Sequence, residues 1–339
     1  EFDGLRQLFG ADAAPGDCAL GSVKSMIGHT KAAAGAAGLI KVALALHNKV
    51  LPPTLKVEHP DPKLKIEESP FYLNTKSRPW LRTNGHPRRA GVSAFGFGGS
   101  NFHAVLEEYE PKKSAPSWDG SVEILALSAP HRTALVEMLQ QHEAVFSKAS
   151  TAEQLAAAAT ESRRRFSPAA VCRLLILVDH LNPSVPPSDL YAAALDWIQT
   201  DAQPKGALRN QLFFSDQVAQ GGLGFLFPGQ GSQYLTMGRD LTALFPQPME
   251  MLEAAETVFT GEQRLSEAIY PHGNPAKEST ASLEAHLRQT DVAQPAIGTL
   301  SAGMADILAH FGIRPDVAAG HSYGELVALY AAGWMERDT

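Results

Sequence analysis

A serine flanked by glycines near the end of the sequence is the residue best suited to covalent chemistry. Ser322 lies in a G-x-S-x-G pattern at residues 320–324, with an apolar run at 317–319 before it and a helix-forming run at 325–332 after it. A serine at a sharp turn from strand to helix exposes its hydroxyl, and the glycines let neighbouring backbone approach without a Cβ clash. The helix behind it directs N–H groups and partial positive charge at a developing oxyanion. The pattern therefore predicts a nucleophilic serine.

A second glycine-rich loop lies about 90 residues earlier in the same part of the chain. Residues 227–233 read Phe-Pro-Gly-Gln-Gly-Ser-Gln and follow an apolar strand predicted at 223–227. Backbone N–H groups in such a loop can line an oxyanion site if the fold brings the loop beside the serine. This juxtaposition is the geometric condition on which the interpretation of Ser322 depends.

Both motifs, in this order, resemble those of the malonyl/acyl-carrier acyltransferase family, and the segment Thr-Asp-Val-Ala-Gln-Pro-Ala at 290–296 extends the resemblance. The resemblance implies that Ser322 attacks an acyl-coenzyme A thioester and forms an acyl-enzyme. It also implies that the N–H groups of Gln230 and Tyr323 hold the oxyanion, while Gln294 helps to shape the pocket.

The same family requires a histidine base and, for malonyl units, an arginine that clamps the free carboxylate. We expect both to lie beyond Thr339, so the extender unit cannot be deduced from this sequence. His321 is adjacent to the serine and is expected to line the substrate site. It is not expected to be the base, because neighbours across an elbow point apart. Without a base, Ser322 should be a feeble nucleophile.

Two motifs near the start of the chain resemble another family, the ketosynthases. They are Ser-Val-Lys-Ser-Met-Ile-Gly-His-Thr at 22–30 and the glycine-rich stretch Ala-Phe-Gly-Phe-Gly-Gly-Ser-Asn-Phe-His at 94–103. The resemblance implies that His29 hydrogen-bonds an enolate oxygen, that Lys24 is a charged group fixing the site, and that Phe97 is a gate beside a cysteine nucleophile.

The ketosynthase family's own nucleophilic cysteine and first histidine would precede Glu1. Cys18 lies in a Pro-Gly-Asp-Cys stretch, which predicts a structural or surface thiol in a polar loop. This half of the chain is therefore not expected to condense anything by itself.

The order of these motifs resembles an internal slice of an iterative type I polyketide synthase. Asn-Phe-His at 101–103 and the tyrosine after the serine, Tyr323, are similar to synthases of enediyne cores and polyunsaturated fatty acids. The resemblance implies action on coenzyme A and phosphopantetheine thioesters, with no cofactor or metal held by this segment. Implied partners are an acyl carrier protein, malonyl-CoA and the rest of the synthase chain, in a parent expected to be a homodimer.

The elements that must position these residues define an α/β fold in three parts. We predict a thiolase-like ketosynthase C-terminal portion at 1–110, a small α+β linker domain at 111–222, and an α/β-hydrolase-like acyltransferase portion at 223–339. The polar, proline-containing stretch at 110–119 predicts the first boundary. Further predicted elements are a buried, small-residue helix at 31–47, strands at 71–73, 101–108, 122–127 and 169–178, and helices at 131–148, 152–159, 240–259, 282–286 and 294–311.

Composition excludes several classes of protein. The net charge is -7, from 29 basic and 36 acidic residues, with no dense Lys/Arg block, so nucleic acid is not an expected partner. Only two cysteines occur, without metal-ligand spacing, which favours a reduced, cytoplasmic setting. No apolar run is long enough for a membrane span, and no signal pattern opens the chain. The first residues are already in amphipathic helical register without an initiator Met, which indicates a cut inside a longer polypeptide.

Two alternative functions remain open at this point. One is an inactive structural segment whose role is to connect two domains rigidly. The other is an unrelated α/β-hydrolase esterase, which the serine motif alone would permit but which leaves the first 110 residues without explanation.

Overall fold

The structure is a computed structural model of the 339-residue chain. It describes residues 2–9, 18–57, 60–82, 85–96, 98–117, 120–147, 150–180, 183–218, 220–261, 263–272 and 279–336. The chain divides into two compact units, one formed by residues 1–117 together with 222–339 and the other by residues 118–221. Within the described ranges, every helix is too short or too polar to cross a lipid bilayer.

The opening segment of the first unit consists of short strands paired two by two around one long helix. Its helices are Phe2–Phe9 (α1), Lys24–Ile27 (α2) and Ala34–Asn48 (α3), and its strands are Cys18–Leu20 (β1), Val50–Leu51 (β2), Phe71–Leu73 (β3), Arg78–Pro79 (β4), Arg89–Phe95 (β5) and Asn101–Glu107 (β6). β1 pairs in parallel with β3, β2 antiparallel with β4, and β5 antiparallel with β6. The strands predicted at 71–73 and 101–108 are confirmed. Cys18, expected in a loop, instead begins a strand because its backbone is in register with Phe71.

Helix α3 packs closely on strand β5, as its small side chains predict. A Cβ built on Gly38 would lie 3.2 Å from Cγ1 of Val92. The prediction that the helix is buried is wrong, however, because Leu39, Ile40 and Leu44 are exposed. Strand β5 covers one side of the helix, and no element among the described residues covers the side that carries these three side chains.

The closing segment of the first unit places two parallel strands next to a layer of helices. The strands are Gly224–Phe227 (β10) and Val317–Gly320 (β11), and the helices are Arg239–Leu244 (α7), Pro246–Val258 (α8), Leu265–Ile269 (α9), Thr280–Leu287 (α10), Thr290–His310 (α11) and Gly324–Ala331 (α12). Phe227 pairs with Gly320 at the carboxyl end of both strands. This register brings the ends of β10 and β11, and therefore the two glycine-rich loops, to one edge of the sheet.

Prolines explain the two places where these helices differ from prediction. A single helix was expected over 240–259, but α7 ends before Phe245 because Pro246 starts a new helix, where its missing N–H is tolerated. Helix α11 was expected to begin at 294, next to Pro295. It begins one turn earlier, at Thr290, and carries Pro295 inside it.

A buried ionic cluster joins the two segments of the first unit. Arg88 donates to Glu108 at 2.6 Å and to Glu253 of α8, and its side chain is 1% exposed. Lys49 contacts Glu108 at 3.2 Å. Burial alone would raise the pKa of Glu108, but hydrogen bonds and charge from Arg88, with Lys49, hold that pKa below its usual value. The end of the ketosynthase-like segment is thereby fixed to the start of the acyltransferase-like one.

The second unit is α+β, as predicted. Its strands form an antiparallel sheet in the order β7-β8-β9. The strands are Val122–Ala129 (β7), Cys172–Asp179 (β8) and Leu212–Ser215 (β9), and the helices are Arg132–Gln140 (α4), Ala152–Arg165 (α5) and Pro187–Thr200 (α6). The helix expected over 131–148 ends earlier, and a short 3-10 turn, Glu143–Phe146, follows it. Helix α6 and strand β9 were not predicted.

Candidate active site

Ser322 occupies a strained turn between strand β11 and helix α12. Its φ angle is 56°, in the left-handed region that side chains other than glycine rarely adopt. The turn is closed by backbone hydrogen bonds from Gly324 to His321 and from Glu325 to Ser322, each 3.0 Å long. Helix α12 begins at Gly324, two residues after the serine, so its N-terminus lies directly behind it. This is the strand, turn and helix arrangement of a nucleophile elbow.

Close backbone approach at the elbow requires glycine. A Cβ on Gly320 would collide with the backbone of Gly324, and a Cβ on Gly324 would collide with the carbonyl group of Phe227. A larger residue at either position would force the turn open. The two glycines of the motif are therefore explained by the geometry of the strand ends.

The second glycine-rich loop lies against the serine. The point where Gly229 would carry a Cβ is 2.9 Å from Cβ of Ser322 and 3.1 Å from Nδ1 of His321. The backbone N–H of His321 also donates to the carbonyl oxygen of Phe227 at 3.0 Å, continuing the pairing of the two strands. The condition set by the sequence, that the loop near Gln230 meets the elbow, is fulfilled.

The backbone N–H groups of Gln230 and Tyr323 have no acceptor among the described residues. One belongs to the loop after β10 and the other precedes helix α12. Donors of this kind are free to bind a developing negative charge. Their assignment as oxyanion donors stays a prediction.

The side chain of Gln230 is held by helix α11. Its Nε2 donates to Oγ1 of Thr290 at 3.1 Å and to the carbonyl oxygen of Arg288 at 3.4 Å, and its Oε1 accepts from Nε2 of Gln294 at 3.4 Å. Gln294, predicted to shape the pocket, thus contacts the neighbouring loop through its amide.

The structure gives Ser322 no hydrogen-bonded base within the described residues. His321 is exposed and adjacent, but no hydrogen bond joins its ring to the serine hydroxyl in the described part of the chain. His321 therefore lies at the site without the contact that a general base needs. In the same part of the chain, no group of three potential metal ligands occurs.

The ketosynthase-like residues lie on a separate element. Lys24 begins helix α2 and His29 follows it, and His29 is exposed. Nδ1 of His29 accepts from the backbone N–H of Lys31 at 2.9 Å. A neutral imidazole in this position carries its proton on Nε2, the atom left to donate. Phe97 lies outside the described residues.

Sequence reasoning assigned no role to two residues that contact the loops of the site: Thr290, although it lies in the 290–296 motif, and Gly298. Together with Gln294 they are spaced four residues apart, which places all three on one face of a helix. That periodicity would have revealed them, but placing the helix start beside Pro295 left Thr290 outside the helix.

Three family models match the chain in succession. The beta-ketoacyl synthase C-terminal domain matches residues 1–58, the ketoacyl-synthetase C-terminal extension matches residues 60–169, and the acyl transferase domain matches residues 224–338. The protein class is therefore a condensing-enzyme segment joined through its extension to an acyltransferase segment.

Curated relatives match the chain along its whole length. A polyunsaturated fatty acid synthase from Thraustochytrium sp. is 36% identical over 366 residues, covering 100% of this chain and 13% of that protein. A phenolphthiocerol/phthiocerol polyketide synthase from Mycobacterium tuberculosis is 33% identical over 349 residues, covering 100% of this chain and 22% of that protein. The chain belongs to the type I polyketide synthases, as the ketosynthase to acyltransferase region. It spans less than a quarter of the length of these two relatives.

Solved structures overlap the chain in part. The ketosynthase from module 6 of the bacillaene synthase of Bacillus subtilis is 32% identical, covering 63% of this chain and 34% of its own, with a TM-score of 0.32. The acyl transferase domain of ZmaA is 21% identical, covering 66% and 47%, with a TM-score of 0.47. Family membership rests on the domain models and the sequence relatives.

Proposed function

We propose that this chain is the ketosynthase to acyltransferase region of an iterative synthase, similar to those for enediyne cores or polyunsaturated fatty acids. Its acyltransferase part would load malonyl-type extender units from coenzyme A. The observation that carries the proposal is the position of Ser322, held at a positive φ angle of 56° with the Gly229 loop against it.

The proposed chemistry is acyl transfer in two steps. Oγ of Ser322 attacks the thioester carbonyl, its proton passes to a base, and the carbon–sulfur bond breaks to release the coenzyme A thiol. The N–H groups of Gln230 and Tyr323 stabilise the oxyanion of the tetrahedral intermediate. In the second step, the phosphopantetheine thiol of an acyl carrier protein attacks the acyl-serine ester and regenerates Ser322. The coenzyme A thioester is consumed in the first step, the carrier-protein thioester is formed in the second, and neither step requires a resident cofactor.

Groups from outside this chain are needed for full activity. We expect a histidine base and an arginine clamp to complete the site, because Ser322 lacks a hydrogen-bonded base among the described residues. His321 would line the acyl site, and Gln294 would support the loop that carries Gln230.

In the condensing half, Nε2 of His29 would donate to the enolate oxygen as charge develops there. Lys24 would be a charged group that fixes this site. Phe97 would act as the gate beside a cysteine supplied from outside the chain. Proposed partners are the remainder of the synthase, its acyl carrier protein and malonyl-CoA, in a cytoplasmic homodimer.

Acylation with radiolabelled malonyl-CoA tests the proposal. The full-length synthase should be labelled, and Ser322→Ala should abolish labelling at this site while an acyl carrier protein added in excess should remove the label from the unmodified enzyme. The 339-residue chain by itself should label little, because Ser322 has no hydrogen-bonded base among the described residues. Stoichiometric labelling of that chain, or labelling that survives Ser322→Ala, would contradict the proposal.

The two alternatives give different results in the same experiment. A purely structural connector predicts no labelling of the full-length synthase at Ser322. An esterase predicts hydrolysis of a nitrophenyl ester by the isolated chain, and it leaves the ketosynthase matches at 1–58 and 60–169 without a role.

A further inference from the structure

One face of helix α11 contacts both loops that meet at Ser322. Thr290, Gln294 and Gly298 follow one another at four-residue intervals, so they lie in one row along the helix. The first two contact the loop after β10, and the third contacts the residue that follows the serine.

At the N-terminal end of this row, the Gln230 side chain has three polar contacts. Thr290 accepts at 3.1 Å, the carbonyl oxygen of Arg288 accepts at 3.4 Å, and Gln294 donates at 3.4 Å. The amide nitrogen and the amide oxygen both have partners, so the side chain is held in one orientation. Among the described contacts of Gln230, these are the ones that tie its loop to the segment at the start of α11.

Two turns further along, Gly298 makes room for the ring of Tyr323. Gly298 is buried, and a Cβ at this position would collide with Cε1 of Tyr323 and lie 3.3 Å from its Cδ1. The ring therefore rests directly on the helix backbone. Tyr323 carries the other proposed oxyanion donor on its backbone, so its packing on α11 fixes where that N–H points.

We propose that helix α11 sets the relative position of the two oxyanion donors, with Thr290 and Gly298 as its positioning residues. Thr290 acts through the side chain of Gln230, and Gly298 acts through the ring of Tyr323. The inference rests on the proposed acyltransferase function and adds to it two residues that do not touch the acyl group.

The expected effect follows from the worth of an oxyanion donor. Removing one donor typically costs about 10²–10³-fold in the rate of the chemical step. A displaced donor should slow the chemical step by part of that factor, on the order of 10-fold. The maximal rate should fall while substrate binding is unchanged, because the donor stabilises the transition state.

Thr290 is tested by comparing Thr290→Val with Thr290→Ser in the full-length synthase. Valine keeps the shape but removes the acceptor for Gln230, whereas serine keeps the acceptor. We expect Thr290→Val to lower the rate of Ser322 acylation at saturating malonyl-CoA by about 10-fold with the half-saturating concentration unchanged. The acylation rate of Thr290→Ser should stay within about twofold of that of the parent.

Gly298 is tested by a double-mutant cycle with Tyr323, because the collision requires both side chains. Gly298→Ala should slow acylation by about 10-fold or more. Combined with Tyr323→Ala, which retains the backbone N–H, it should be no slower than Tyr323→Ala alone. A double variant as slow as the product of the two single effects would overturn the role of Gly298.

A fluorophosphonate probe separates positioning from folding. Its adduct on Ser322 places a phosphoryl oxygen where the oxyanion forms, so Thr290→Val should slow phosphonylation by the same factor as acylation. A role in folding alone would lower the fraction of sites that react, with an unchanged rate per site, and that result would overturn the inference. Label that persists in Ser322→Ala would instead defeat the proposed function itself.

Discussion

Arg88 and Glu253, which are 165 residues apart in the sequence, form an ion pair in the interior of the first unit. The guanidinium side chain is 1% exposed and also donates to Glu108, while the Glu253 side chain is 22% exposed. Burial raises the pKa of Glu253 even though the charge of Arg88 opposes that rise. The pair therefore joins the start of strand β5 in one segment to helix α8 of the other at a desolvation cost.

Replacing Arg88 should destabilise the first unit strongly. Arg88→Met keeps much of the volume but leaves the buried Glu108 and the partly buried Glu253 with fewer partners. Breaking a buried pair in this way costs about 3–5 kcal/mol. Urea unfolding of the 339-residue chain measures the loss. Arg89→Met is the matched control, because Arg89 pairs with Glu107 at 2.7 Å and its side chain is 55% exposed. It should cost about 0.2–1 kcal/mol, and equal losses at the two positions would contradict this account.

Lys113 should make stability rise with pH in alkaline solution. Burial, followed by the nearby charges of Lys49 and Arg88, lowers the pKa of Lys113 from 10.5 to about 8. Between these two values the unfolded chain binds a proton that the folded chain does not, so the free energy of unfolding increases with pH. The contribution is at most about 1.4 kcal/mol per pH unit.

Unfolding by urea at several values between about pH 8 and about pH 10 tests this dependence. Lys113→Met should remove the increase in the free energy of unfolding with pH that the parent chain shows over this range. Lys112→Met is the control, since Lys112 is exposed, and it should retain the slope of the parent. If the slope of Lys113→Met matches that of the parent, the prediction fails.

The backbone strain at Ser322 predicts that glycine is more favourable than alanine there. A positive φ costs a residue with a Cβ on the order of 1 kcal/mol, so the free energy of unfolding of Ser322→Gly, measured with urea, should exceed that of Ser322→Ala by up to that amount. Both variants should lose acylation in the full-length synthase.

Ser114 provides the comparison, because it is exposed and is not among the residues with positive φ. At that position glycine should be less stable than alanine, since glycine has more freedom in the unfolded chain. If the alanine variant is more stable than the glycine variant at both positions, the turn at Ser322 stores no strain.

Residues 118–221 should fold when expressed alone. They form a contiguous unit whose core includes the fully buried side chains of Leu125, Leu135, Leu174 and Ile176. We expect a cooperative thermal transition by circular dichroism. Leu135→Ala should destabilise the unit by about 2–5 kcal/mol because it leaves a cavity. A non-cooperative melt of the isolated unit would contradict the prediction.

The elbow was predictable from sequence because its determinants are local. The strand, the glycines around Ser322 and the following helix lie within a few residues of one another, and each has a composition typical of its conformation. The position of Gly229 beside the serine was also anticipated, although only through the resemblance of this chain to the acyltransferase family.

Features that depend on distant packing were not predictable in the same way. No local pattern connects Arg88 to Glu253, and the exposed apolar face of α3 could not be distinguished from a buried one by composition. The contact of Thr290 was missed because Pro295 moved the predicted start of α11 by one turn, and that of Gly298 because its partner, Tyr323, is distant in sequence.

The ionic cluster around Arg88 also limits where chimeric synthases can be joined. The proline-containing stretch at 110–119 is an obvious crossover site, yet Ser117 donates to the carbonyl oxygen of Leu244 at 2.8 Å and Arg88 requires Glu253. In a hybrid joined there, the two members of each contact would come from different parent synthases, whose buried residues differ. Exchanges that keep residues 78–117 and 239–270 from one parent would preserve both of these contacts.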